Sequence, residues 1–249
     1  MRNVVVHSVG KVASSAITGL AASALNAQVP HTHQLVRQRL EHNLARCAAT
    51  GSLPSPHIIR SFLVLEWLDA GEAIDFITVV REPFARNLSA FFQNINLFMD
   101  DPTEATAEDI ATAYMEDFPH QRSLEWFDRQ VRDPLGIDVF THEFDTSEGF
   151  ATIEGDQHRM LILRRESSTA KKRQLVGDFL GVPMPELMRV NTTSAKETGT
   201  QYAAVKEQLQ LPAEFVEEVF DSRYCRHFFS AAERDLMWAR WVEGSPSGF

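Results

Sequence analysis

The chain has 249 residues, of which 44% are hydrophobic and 23% are charged, and this balance is typical of a soluble globular protein. The 24 lysine and arginine residues against 34 aspartate and glutamate residues give a formal net charge of −10. An acidic total argues against a general nucleic-acid-binding protein, which carries a basic surface, although a local basic pocket can still hold a nucleotide.

Two features bear on the compartment. The N-terminal apolar stretch resembles a signal peptide, but His7 and Lys11 interrupt it, and no stretch reaches the roughly 18 apolar residues that a membrane span needs. The two cysteines lie far apart without a CxxC spacing, so neither a disulfide framework nor a cysteine zinc site is expected. We therefore expect a cytoplasmic protein without a membrane span.

Short apolar runs and longer amphipathic segments alternate along the chain, and they predict strands and helices in turn. Buried strands are predicted over residues 3–7, 74–80, 137–140 and 160–163. Helices are predicted from residue 14 to about 26, over 30–49, 108–115, 120–132 and 171–180, and after Pro83 and Pro212. Residues 58–68 are apolar and fit either a helix or a strand.

This alternation predicts an α/β fold with a parallel central sheet flanked by helices and a mostly helical C-terminal part. We expect a single domain over residues 1–244, followed by a flexible tail over 245–249.

The first candidate site is the turn between the first predicted strand and the first predicted helix. Its sequence is Gly10-Lys11-Val12-Ala13-Ser14-Ser15. Backbone N–H groups at a helix start, two hydroxyls and one lysine suit the binding of a phosphate. It is not a Walker A loop, because that motif would require glycine in place of Val5 and serine or threonine in place of Val12. A lysine that faces solvent beside a helix N-cap is the alternative interpretation.

The second candidate site follows the strand over 74–80, in the segment Arg81-Glu82-Pro83-Phe84-Ala85-Arg86-Asn87-Leu88-Ser89. Arg81 ends the strand and Ser89 lies about two turns into the next helix, so an arginine fork and a hydroxyl could grip one phosphate from two sides. The alternative is capping and a salt bridge, with Arg81 or Arg86 paired to Glu82. A parallel sheet would bring both candidate sites to the same edge, where ligands of such sheets bind.

Both segments resemble the nucleotide-binding motifs of sulfotransferases. The turn resembles their 5′-phosphosulfate-binding loop, and Arg81 with Ser89 eight positions later resembles their 3′-phosphate-binding motif. The chain is most similar to bacterial capsular polysaccharide synthesis proteins, which are sulfotransferase-like, and further similar stretches lie at residues 126–129, 136–139, 161–166 and 179–181. The resemblance implies a P-loop, sulfotransferase-like fold and 3′-phosphoadenosine-5′-phosphosulfate as the sulfuryl donor.

The resemblance also implies roles for single residues. Lys11 would contact the bridging oxygen of the donor, where a fixed ammonium stabilises the charge that grows on the leaving phosphate. Ser14 or Ser15 would contact the 5′-phosphate, while Arg81 and Ser89 would hold the 3′-phosphate. Sulfuryl transfer does not call for a metal, so none is expected.

An acceptor hydroxyl needs a base, and His33 and His31 are the candidates for it. An imidazole titrates near neutrality and can take the proton in the transition state. The His-x-His pair also resembles the base region of heparan sulfate 2-O-sulfotransferases. His7, beside the turn, is a weaker candidate, and ordinary histidines at the start of the helix over 30–49 are the alternative. A metal site on these histidines would need further ligands that the sequence does not indicate.

Together these residues predict a sulfotransferase that moves a sulfuryl group from the nucleotide donor to a hydroxyl of a carbohydrate. The chain lacks the glycine-rich C-terminal nucleotide motif of many sulfotransferases, and Lys196 is a candidate substitute. A P-loop kinase or other phosphotransferase is one alternative, against which Val12 argues. A non-catalytic nucleotide-binding module of polysaccharide assembly is the other.

Overall fold

The computed structural model describes residues 2–184, 205 and 209–244. The predicted tail over 245–249 and Lys196 lie outside those residues. The described chain divides into two compact units, which we call the sheet unit (2–81 and 125–184) and the helical unit (82–124, 205 and 209–244). The sequence predicts a single domain, and whether the two units fold as one domain stays a prediction.

The described strands form one five-stranded sheet in the order β2-β1-β3-β5-β4, all within the sheet unit. The strands are β1 (Asn3–His7), β2 (His31–Thr32), β3 (Ile74–Val80), β4 (Phe150–Glu154) and β5 (His158–Arg164). β1 pairs in parallel with β2 and β3, and β3 pairs in parallel with β5, whereas β4 runs antiparallel to β5. The predicted α/β class with a largely parallel sheet is confirmed.

The helices of the described residues alternate with these strands and then follow one another towards the C-terminus. They are α1 (Ser14–Leu25), α2 (Arg37–Thr50), α3 (Pro56–Asp69), α4 (Pro83–Gln93), α5 (Ala107–Glu116), α6 (Gln121–Leu124), α7 (Asp133–Leu135), α8 (Thr169–Leu180), α9 (Ala213–Phe220), α10 (Arg223–Phe228) and α11 (Ala231–Val242). A π-helical turn covers Asp128–Arg132, and 3₁₀ turns cover Ile95–Leu97 and Val139–Thr141. Among these described helices, none combines the length and the apolar character that crossing a bilayer requires.

The core of the sheet unit lies between the sheet and two helices. All seven residues of β3 are buried, as expected for a central strand of a parallel sheet covered on both faces. Ile17 and Leu20 of α1, together with Val176 and Phe179 of α8, join the buried side chains of the strands in one apolar cluster. Val12 of the turn belongs to the same cluster and is fully buried, so the turn is anchored by its own side chain.

The helical unit has an aromatic core. Phe84 of α4 contacts the rings of Phe215, Phe220 and Trp241 at centroid distances of 5.4, 5.4 and 5.6 Å. The carboxylate of Glu82 accepts hydrogen bonds from the backbone N–H groups of Phe84 and Ala85, both at 2.7 Å, and so caps the start of α4. The mostly helical C-terminal part is therefore confirmed within the described residues.

Two element predictions are wrong. The helix predicted over 30–49 begins only at Arg37, because His31 and Thr32 pair with β1 as a short parallel strand. The strand predicted over 137–140 is instead a 3₁₀ turn over Val139–Thr141. The Asp138 side chain accepts a hydrogen bond from the N–H of Phe140 at 3.1 Å, and this local bond competes with an extended backbone.

Other elements differ less from their predictions. The ambiguous segment over 58–68 lies inside helix α3. The helix predicted over 120–132 is interrupted between α6 and the π-helical turn. Strand β4, with its alternation of buried and exposed residues, was not predicted.

Candidate anion site and histidine cluster

The turn between β1 and α1 has an uncommon backbone. Lys11 and Ala13 have φ angles of 73° and 64°, in the left-handed region, whereas Val12 between them does not have a positive φ. Such alternation directs successive N–H groups to one side and forms an anion-binding concavity. A left-handed conformation costs a residue with a β-carbon about 1–2 kcal/mol and persists only where the surroundings enforce it.

Two contacts enforce the conformation of this turn. Val12 is buried in the apolar cluster of the sheet unit. The Arg81 guanidinium donates a hydrogen bond from Nη1 to the carbonyl oxygen of Lys11 at 2.8 Å. β1 and β3 are parallel neighbours, so the turn after β1 and Arg81 after β3 lie at the same edge of the sheet, as the sequence predicts. The two candidate sites are therefore in contact through Lys11 and Arg81.

The two serines of the turn are in different environments. Ser14 is buried, and its Oγ lies 2.8 Å from Nε2 of His31. Ser15 is exposed in the first turn of α1. The N-cap residue of α1 is the left-handed Ala13, which makes no side-chain capping hydrogen bond. The first N–H groups of this helix are of the kind that bind anions in proteins.

The remaining members of the second candidate site belong to the helical unit. Ser89 is half-buried on α4, and Arg86 donates a hydrogen bond to Oδ1 of Asn87 at 3.0 Å. Glu82 caps α4, which agrees with the capping part of the alternative interpretation, and its salt bridge with Arg81 or Arg86 stays a prediction. The role of Ser89 at a 3′-phosphate stays a prediction.

Three histidines of the sheet unit form a cluster beside the turn. His31 lies on β2, His33 follows it, and His57 stands in the first turn of α3. Their ring centroids are 4.8 Å (His31–His33), 4.7 Å (His31–His57) and 4.3 Å (His33–His57) apart. The Nε2 atom of His33 would lie 4.0 Å from a β-carbon added at Gly10. The predicted bases therefore adjoin the predicted phosphate loop, and the structure adds His57 to them.

The environment of His31 differs from the one that its predicted role assumed. Burial, and to a smaller extent the neighbouring His33, His57 and Arg60, together lower the pKa of His31 to about 3. His31 is therefore neutral and does not titrate near neutral pH. Burial also lowers the pKa of His7 to about 3. The role of His31 and His33 as bases stays a prediction.

A second layer of contacts positions the histidine segment. The Nε2–H of His7 donates to the backbone carbonyl of Gln130 at 2.9 Å, and the hydroxyl of Thr32 lies 2.8 Å from Nδ1 of the same ring. The side-chain oxygen of Gln130 accepts a hydrogen bond from the N–H of Leu35 at 2.8 Å. The indole N–H of Trp126 donates to the carbonyl oxygen of His33 at 3.1 Å. His7 is thus a buried positioning residue, and the segment 126–130 supports the cluster.

Residues 114–230 match the model of a family described as "Putative capsular polysaccharide synthesis protein". This stretch is slightly less than half of the chain and contains Trp126 and Gln130, but it includes neither the turn, nor the histidine cluster, nor Arg81. The predicted similarity to capsular polysaccharide synthesis proteins is confirmed over this stretch. Comparisons with curated proteins and with solved structures gave no match.

Proposed function

We propose that the protein is a sulfotransferase that moves a sulfuryl group from 3′-phosphoadenosine-5′-phosphosulfate to a hydroxyl of a carbohydrate. The observation that carries the proposal is the hydrogen bond from Arg81 to the carbonyl oxygen of Lys11. This bond joins the candidate phosphate-binding turn, which follows β1, to an arginine that follows the neighbouring parallel strand β3. A nucleotide that carries phosphates at two positions needs two such anion-binding groups at one sheet edge.

On the donor side, each group has a task that suits its chemistry. The left-handed turn and the first N–H groups of α1 would bind the 5′-phosphosulfate. Lys11 would place its ammonium against the oxygen that leaves with the nucleotide, where negative charge develops. Arg81 would bind the 3′-phosphate, since a guanidinium presents paired donors to phosphate oxygens. The burial of Val12 supports this reading over a magnesium-dependent kinase, whose motif needs a hydroxyl there.

On the acceptor side, the histidine cluster would receive the proton of the attacking hydroxyl. His33 is the better placed of the two predicted bases, because it is only partly buried and faces Gly10 of the turn. The Nε2 atom of His31 is hydrogen-bonded with the hydroxyl of Ser14, and the pKa of His31 is lowered to about 3. Both features make His31 a weaker base. The similarity of residues 114–230 to capsular polysaccharide synthesis proteins supports a saccharide acceptor. Cytoplasmic localisation stays a prediction.

The experiment is a calorimetric titration with 3′,5′-adenosine bisphosphate, the donor without its sulfuryl group. Loss of a charge-assisted bond costs about 1.5–3 kcal/mol, so Arg81→Ala should weaken binding roughly 10- to 150-fold. Arg39→Ala, on the exposed side of α2, is the matched control and should bind as the wild type does.

A second ligand separates the 3′-phosphate from the turn. Adenosine 5′-phosphate lacks the 3′-phosphate, so the proposal expects Arg81→Ala to affect its affinity little. Equal weakening of both ligands would assign Arg81 to holding the turn and not to the 3′-phosphate. Absence of binding by the wild type would refute the proposed donor.

A further inference from the structure

The histidine cluster brings together imidazoles from two segments of the sheet unit, residues 31–33 and the first turn of α3. One ligand-type atom of each ring of His31, His33 and His57 lies within 4.8 Å of the other two. A tetrahedral zinc ion with Zn–N bonds of about 2.0–2.1 Å needs nitrogens about 3.3 Å apart. To close on one ion, the ligand atoms would have to approach one another by at most about 1.5 Å, from 4.8 Å to about 3.3 Å.

Each of these rings makes a hydrogen bond through one nitrogen, which leaves the other nitrogen for a metal ion. His33 donates from Nδ1 to the carbonyl oxygen of Ser8 at 2.6 Å, and His57 donates from Nδ1 to the carbonyl oxygen of His31 at 3.0 Å. Because a carbonyl can only accept, both rings carry the hydrogen on Nδ1 and keep the Nε2 lone pair. His31 meets the hydroxyl of Ser14 through Nε2, which leaves Nδ1 as its ligand atom. A bond from the second ring nitrogen to an oxygen is typical of metal-binding histidines.

We propose that His31, His33 and His57 bind one divalent transition-metal ion, with zinc as the expected ion. Neutral imidazoles suit zinc among the biological metals, and three nitrogen ligands leave a fourth position open. That position would take an oxygen ligand, either water or a hydroxyl. The ion would stand beside Gly10 of the anion-binding turn.

This inference goes beyond the proposed donor and does not depend on it. With the ion bound, the ring nitrogens would serve as ligands, and the ion would act as a Lewis acid while solvent water took up the proton. A metal ion lowers the pKa of a bound water or hydroxyl towards neutrality, so an acceptor oxygen could lose its proton there. The proposed site departs from the sequence-based expectation of no metal, and the sequence does not indicate it, because its third ligand is His57.

The test is a Co²⁺ titration of the full, tag-free chain without nucleotide, followed by absorption spectroscopy. Co²⁺ replaces zinc and absorbs strongly in a tetrahedral site, whereas an octahedral ion absorbs weakly. We expect one tetrahedral Co²⁺ per chain, displaced by one equivalent of Zn²⁺. Absence of binding, or a weak octahedral spectrum, would overturn the proposal.

Variants locate the ion. His57→Gln and His33→Gln should each weaken Zn²⁺ binding by more than the roughly 10- to 100-fold that loss of an outer hydrogen-bond partner costs. His42→Gln, exposed on α2, is the matched control and should bind as the wild type does. Retention of binding in both cluster variants, or equal loss in His42→Gln, would overturn the proposal. If a cluster variant fails to fold by circular dichroism, the spectrum of the wild type decides alone.

Failure of this test is distinguishable from failure of the proposed donor. The metal titration contains no nucleotide, and the nucleotide titration can be run in the presence of a chelator. Binding of 3′,5′-adenosine bisphosphate without Co²⁺ binding would refute only the metal site.

Discussion

The guanidinium of Arg81 donates a hydrogen bond of 2.8 Å to the carbonyl oxygen of Lys11, although 70 positions separate the two residues. A trans peptide points its N–H away from its C=O, so this bond also fixes the direction of the N–H of Val12. Arg81 therefore helps to hold the turn in the form that directs its N–H groups to one side. Arg81, which directly follows β3, thus shapes the turn that follows β1.

Lys11 is expected to act through its ammonium and not through its backbone. Both Lys11→Ala and Lys11→Gly should lower the rate of sulfuryl transfer at least about 100-fold, the effect of removing one transition-state donor. Because φ of Lys11 is 73°, Lys11→Gly should be more stable than Lys11→Ala by about 0.5–1 kcal/mol. Turnover assays and urea unfolding check the two effects separately.

Asn26→Gly is the matched control, since Asn26 is exposed, is also left-handed and lies outside the turn, at the C-terminal end of α1. It makes the same backbone change and keeps the charge, so its turnover should equal that of the wild type. A Lys11→Gly variant with wild-type turnover would remove Lys11 from the proposed mechanism.

His7 is expected to make the metal-free protein sensitive to acid. Its folded-state pKa is lowered by burial to about 3, whereas an unfolded imidazole has a pKa of 6.5. Below pH 6.5 the unfolded chain binds a proton that folded His7 resists. The contribution of neutral His7 to the free energy of unfolding is therefore fully present above pH 6.5. It is lost as the pH falls towards 3, by about 1.4 kcal/mol per pH unit from this residue alone.

Urea unfolding between pH 7 and pH 5, in the presence of a chelator, measures this slope. His7→Gln cannot take up the proton, so its free energy of unfolding should fall less steeply than that of the wild type. Identical slopes for the two proteins would contradict the assignment to His7.

Gln130 is expected to stabilise the segment that carries the histidines. Its side-chain oxygen accepts the buried N–H of Leu35 at 2.8 Å. Gln130→Ala would leave that N–H without an acceptor, so the free energy of unfolding should fall by about 1–3 kcal/mol. Gln38→Ala on the exposed face of α2 should change it little. Equal losses in the two variants would argue against a specific role for Gln130.

The sequence predicts the elements whose pattern is local. An unbroken apolar run or a helical face that is bounded by a glycine or a proline predicts four of the elements, namely β1, α1, β3 and α4. Their parallel arrangement followed, and with it the meeting of Lys11 and Arg81 at one sheet edge. Both motifs are short, and the residues that would bind phosphate lie within each of them. They can therefore be recognised without knowing any distant partner.

The parts that were missed depend on distant partners. Residues 31–32 are a strand only because β1 lies beside them, and two residues have no periodicity to detect. His57 follows Pro56 at the start of α3, and nothing in its neighbourhood connects it to His31 and His33. The low pKa of His31 likewise arises from burial and from neighbouring charges, which only the folded chain supplies.

The pairing of β3 has a consequence for the synthesis of the protein. β3 pairs with β1, which precedes it by about 70 residues, and with β5, which follows it by about 80 residues. β4 and β5, in contrast, form a hairpin of neighbouring strands that can close on the microsecond timescale. During synthesis, one edge of the apolar strand β3 therefore stays unpaired until its partner β5 has left the ribosome. During that interval β3 is exposed to aggregation, and chaperones are expected to shield it.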